Sequence, residues 1–161
     1  WDTTDGSGSG DWMSRAWDRL SNVSWFYKAW YRQTYSESSS TCGRNPWLSQ
    51  AEMSDIVNAY QVWVASNRTD SRISPIFDAC HSTGNPYTYA EVRSKAAKPV
   101  TSISSAVVVS GNGSSSSVIF NTNAGVISMS GNDFKTVYNL RAPGHLRIPQ
   151  SGFVHINIHK K

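Results

Sequence analysis

The chain has 161 residues, a net charge of +4, 39% hydrophobic residues and only 16% charged ones. That length suits a single domain that can bury a core without staples, and the charge is sparse against the roughly one-quarter usual in globular proteins. No run approaches the ~18 apolar residues of a membrane span. The basic residues are scattered, densest at Arg93–Lys98 and Lys160–Lys161, which argues against a nucleic-acid partner.

Residues 1–10 are Gly/Ser-rich and read as an opening loop. Asp11 is placed to cap a short helix in which Trp12, Ala16 and Leu20 share a face. VSWFYKAWYRQTY, residues 23–35, carries six aromatics and predicts extended structure. Residues 36–46 read as a loop. The clearest helix spans 49–65. Ser49 and Glu52 form a capping-box pair, and Met53, Ile56, Val57, Tyr60 and Val64 form an apolar stripe expected to be core. Residues 66–87 read as irregular. Thr88 and Glu91 offer a second capping box for a helix over 88–98, stopped by Pro99.

The pattern then turns to strands. Residues 101–110, 116–122 and 124–130 are predicted strands, with Gly111-Asn112-Gly113 as a hairpin turn between the first two. Ser130 and Asp133 start a short helix, and residues 153–159 alternate as a last strand. The expected class is α+β, a single domain over 1–161. An aromatic and helical part (1–98) precedes a β-rich part (99–161) built mostly of antiparallel sheet.

All seven tryptophans fall within the first 63 residues. Indole and phenol rings pack on the C–H faces of sugars while their polar atoms reach hydroxyls. The candidate glycan contacts are Trp25, Tyr27, Trp30, Tyr31, Arg32, Tyr35 and Trp47, with some of these rings expected in the core. Glycoside chemistry needs an acid of raised pKa. Glu52 and Glu91 are used as helix caps, which leaves Glu37 as the catalytic candidate. Asp2, Asp5, Asp55, Asp70, Asp78 and Asp133 show no pairing pattern. Cys42 and Cys80 either form a disulfide or stay as buried thiols. His155 and His159 are spaced as half a zinc site, and no full metal pattern accompanies them, so neither metal nor cofactor is expected. Nucleophile elbows and phosphate loops are absent from the sequence.

Three segments, 27–60, 99–122 and 130–161, resemble the SpoIID/LytB domain family of stage II sporulation protein D. The carrying features are the aromatic segment, a helix with Glu52-Met53-x-Asp55-Ile56, a strand pair, and Ser130-Gly131-x-Asp133-Phe134-Lys135 before the last strand. The resemblance implies an extracytoplasmic lytic transglycosylase acting on peptidoglycan glycan strands. The family's catalytic glutamate lies in a segment with no counterpart here, and Glu52-Met53 sits in a different context. The chain also opens on Trp1 instead of Met. The expectation is therefore the carboxyl-terminal part of such a domain, secreted or cell-surface, contacting peptidoglycan or another glycan without turnover. A contrasting expectation is a non-catalytic extracellular module, either a glycan binder or a subunit that self-assembles through strand edges.

Overall fold

The computed structural model describes residues 25–29, 47–74, 84–111, 114–141 and 156–160. The class is α+β. In chain order the elements are β1 (Trp25–Ala29), β2 (Trp47–Leu48), α1 (Gln50–Ala65), a 3-10 turn (Ser71–Ile73), α2 (Tyr89–Lys95), β3 (Ile103–Gly111), β4 (Ser114–Thr122), β5 (Gly125–Ser130), α3 (Gly131–Arg141) and β6 (Ile156–Lys160). They form two three-stranded antiparallel sheets, β2-β1-β6 and β3-β4-β5. The predicted short helix after Asp11 lies outside the described residues.

Both capping boxes form. Glu52 N–H donates to Ser49 Oγ at 3.2 Å, and Ser49 N–H donates back to Glu52 Oε2 at 2.6 Å. Glu91 N–H donates to Thr88 Oγ1, and Thr88 N–H donates to Glu91 Oε2. Each box satisfies two backbone donors that a helix start leaves orphaned. The far end of α1 closes as a Schellman motif: Arg68 N–H donates to Trp63 O and Asn67 N–H to Val64 O. Asn67 sits at φ 51°, a left-handed position Asn tolerates well. The Arg68 guanidinium lies 5.1 Å from the Trp63 ring centre and pairs with Asp133 at 3.2 Å.

The predicted apolar stripe describes only half of α1. Met53, Ile56 and Val57 are buried, but Tyr60 is half-buried and Val64 is exposed. All seven residues from Met53 to Ala59 are buried, including Ser54, Asp55 and Asn58. The middle of α1 is enclosed on all sides, so a one-faced stripe is the wrong template. In its last turn Val62 and Trp63 point inward instead.

The segment 66–87, expected to be wholly irregular, contains the 3-10 turn, capped by Asp70, whose carboxylate accepts from Arg72 N–H at 3.0 Å. Helix α2 ends at Lys95, four residues before Pro99. Its exit is set by two amide side chains one turn apart on α1. Asn58 bonds both N–H and C=O of Val100 at 2.8 Å, and Gln61 bonds those of Lys98 at 2.8 and 2.9 Å. These side chains act as a neighbouring strand would and hold 98–100 extended. Pro99 disfavours helix at Lys98 in any case.

The β3-β4-β5 sheet alternates cleanly. Val118 and Phe120 on β4 and Ile127 and Met129 on β5 face inward. Ser104 is an extra residue on β3, between Ile103↔Thr122 and Ser105↔Asn121, so both Ile103 and Ala106 turn toward the core. β3 and β4 stay paired as far as Gly111↔Ser114, and the predicted Gly-Asn-Gly turn lies partly outside the described residues. Gly125 has φ +99°, which suits only glycine, and closes the hairpin between β4 and β5. Helix α3 begins where Ser130 Oγ accepts from Asp133 N–H at 3.0 Å. It lays Phe134, Val137 and Tyr138 on the core. Phe134 stands between Phe120 and Tyr138 with ring centres 5.9 Å apart on each side.

Candidate functional site

Two places bring chemistry together. The first is the sheet β2-β1-β6. Trp25 pairs with Leu48, and Tyr27 with Ile158. Cross-strand partners share a face, and Leu48 and Ile158 are buried. Trp25 and Tyr27 therefore hold register positions matched to these core residues. Trp47, Phe26 and His159 hold the alternate positions, paired across all three strands, and Lys28↔Asn157 is the next such pair. Trp30, Tyr31, Arg32, Tyr35, Glu37, Cys42, Cys80 and His155 lie outside the described residues.

The second is a cleft of about 100 Å³ between α1 and α2, lined by Ala51, Ser54, Asp55, Asn58, Tyr89, Arg93, Val100 and Thr101. At its base Asp55 meets Arg141, the last residue of α3. Arg141 Nε donates to Oδ2 at 2.5 Å and Nη2 to Oδ1 at 3.1 Å, with both residues buried. The Arg141 guanidinium also lies 5.8 Å from the Tyr89 ring centre. Burial pushes the Asp55 carboxyl above the ordinary 3.8, and the Arg141 hydrogen bond and charge only partly offset this. The Ser54 hydroxyl and Arg141 Nη1 are buried with no hydrogen-bond partner among the described residues.

Among the described residues two aspartates form ion pairs with arginines, Asp55 with Arg141 and Asp133 with Arg68. Eighty-six residues separate Asp55 from Arg141, so no local spacing could show that pair. One sequence signal was present. Ala51, Ser54, Asp55, Asn58 and Val62 recur at helical spacing, a small and polar row beside the apolar one. Polar side chains in the middle of a helix whose flanks are apolar are candidates for buried use.

Among the described residues no group of three or more His, Cys, Asp or Glu is placed to hold a metal ion, and no helix is long and apolar enough to cross a membrane. No family model, curated protein or solved structure matches the chain.

Proposed function

We propose that this chain is the glycan-side part of an extracytoplasmic peptidoglycan-processing protein, binding glycan strands without cleaving them. The register row Trp47–Phe26–His159, alternating with the positions of the buried Leu48 and Ile158, carries this reading. Flat rings beside hydrogen-bonding groups are what a sugar chain needs for stacking and orientation. The resemblance to the SpoIID/LytB family lends support. Its two helical motifs, Glu52-Met53-x-Asp55-Ile56 and Ser130-Gly131-x-Asp133-Phe134-Lys135, lie on α1 and α3, which the Asp55–Arg141 pair ties together. The absence of the family's glutamate-bearing segment from these 161 residues favours binding over turnover. The test is an assay on peptide-free glycan strands, with and without that segment supplied. Binding without anhydro-sugar release by this chain alone is expected. Release by the chain alone would show an acid that this reading denies.

A second reading, self-association, is favoured by the outer face of β3-β4-β5. It carries Ser105, Val107, Val109, Ser117, Ile119, Asn121, Val126, Ser128 and Ser130, without one charge in a chain of net +4. Val107 and Val126 are 51% and 60% exposed. The apolar members run diagonally from Val126 through Ile119 to Val107 and Val109, between polar corners. A two-fold axis would lay such a band on itself in a second copy. Sedimentation equilibrium at rising concentration checks it: Val126→Lys is expected to abolish any dimer, and a wild-type monomer at millimolar concentration would exclude it.

A further inference from the structure

We infer that the cleft between α1 and α2 binds a small carboxylate, with Arg93 as the cation and Ser54 as a donor. The case starts from which hydrogen-bonding groups there are already used. Both oxygens of Asp55 accept from Arg141. The Asn58 amide is spent on both sides by Val100. What remains on the cleft wall is the Ser54 hydroxyl, buried and unpartnered, the exposed Thr101 hydroxyl and the exposed Arg93 guanidinium. A buried hydroxyl left unpaired is costly, so a ligand that accepts from it is favoured.

Charge selects the same partner. Asp55 and Arg141 neutralise each other, which leaves Arg93 to give the cleft wall a net positive charge. The wall thus offers donors and a cation, while its carboxylate and amide oxygens are occupied. An acceptor-rich anion satisfies it; an ammonium or a second guanidinium does not. Size narrows the class further. About 100 Å³ is the share of roughly three waters at ~30 Å³ each, enough for a carboxylate and its α-carbon. A guanidinium also matches the two oxygens of a carboxylate in its planar fork. The carboxylate could belong to a sugar acid or to a peptide terminus, and the cleft is open enough on its outer side for either to continue outward.

This inference does not rest on the glycan reading, because the cleft involves none of Trp47, Phe26 or His159 and the probes are small carboxylates, not glycan strands. It is tested by NMR titration of the whole chain with sodium acetate, glucuronate and N-acetylglycine, against acetamide and sodium chloride at matched ionic strength. Saturable shifts centred on Ser54, Tyr89, Arg93 and Thr101 are expected with the carboxylates and not with the controls. A response to glucuronate alone assigns a sugar acid, and one to N-acetylglycine alone assigns a peptide terminus. Arg93→Gln, at an exposed position, is expected to weaken binding about tenfold or more. Ser54→Ala is expected to weaken binding without lowering Tm, since its hydroxyl makes no hydrogen bond in the ligand-free protein. No saturable shift with any carboxylate, or an equal response to acetamide, overturns the proposal.

Discussion

Asp55 on α1 and Arg141 at the end of α3 form a two-point ion pair that is buried on both sides and bridges 86 residues of chain. It joins α1 to α3, on either side of β3-β4-β5 in the sequence. Removing one partner strands a buried charge, which costs about 3–5 kcal/mol. Asp55→Ala and Arg141→Ala are each expected to lose that much in urea unfolding. Replacing both partners with apolar residues, Asp55→Leu with Arg141→Met, is expected to recover most of it, because a buried ion pair offsets little more than its own desolvation. Equal losses in the double and single variants would contradict this account of the pair.

The Asn58 amide satisfies the N–H and C=O of Val100, all of them buried. Asn58→Leu keeps much of the volume and orphans both backbone groups. The expected cost is about 2–6 kcal/mol, from roughly 1–3 for each of the two unsatisfied groups. Amide hydrogen exchange gives the local readout: protection at Val100 should fall well before protection at Val118 in the sheet. Uniform loss across both positions would mean that Asn58 acts only through global stability.

Glu91 supplies a pH dependence of known sign. Its bonds from Thr88, backbone first and then side chain, hold its carboxyl below the ordinary 4.5, with help from Arg72. A depressed folded pKa means stability that is present above 4.5 and lost as pH falls through the lower folded value. Asp55 works in the opposite direction. Its raised pKa means the folded chain holds the proton more tightly, so protonation there favours folding as pH falls toward 3.8. Glu91→Gln removes only the first effect. The stability gap between wild type and Glu91→Gln should therefore narrow on acidification below 4.5, as measured by chemical denaturation at a series of pH values. A gap that is constant with pH would show that the Glu91 charge plays no part in capping α2.

Phe134 fills the space between Phe120 and Tyr138. Phe134→Ala is expected to cost about 3–5 kcal/mol through lost burial and a residual cavity. Ser49→Ala, which breaks a cap and leaves the core intact, is expected to cost only about 1 kcal/mol. Thermal unfolding of the pair gives the ranking directly.

Much of the fold could be read from local chemistry. Both capping boxes and the Ser130 start of α3 rest on residues three apart, and each formed as read, as did the antiparallel strand pair β3-β4. Less was legible wherever the cause was distant. The burial of Ser54, Asp55 and Asn58 depends on α2, α3 and the sheet enclosing α1, which no periodicity within α1 announces. Helix α2 stops at Lys95 because Asn58 and Gln61, some forty residues earlier, claim the following backbone. The candidate aromatics show the same limit. Composition marked the segment, but only the pairing of Trp25 with Leu48 and of Phe26 with Trp47 sets its register against the core residues.

Co-sedimentation of the chain with purified, peptide-free glycan strands tests the proposed function most directly, run beside Trp47→Ala after its Tm has been matched to wild type. The account predicts saturable binding by wild type, a loss of about 1–3 kcal/mol of affinity in Trp47→Ala as for other ring-stacking anchors, and no soluble anhydro-sugar from either. Wild-type chain that stays in the supernatant at every strand concentration would contradict it.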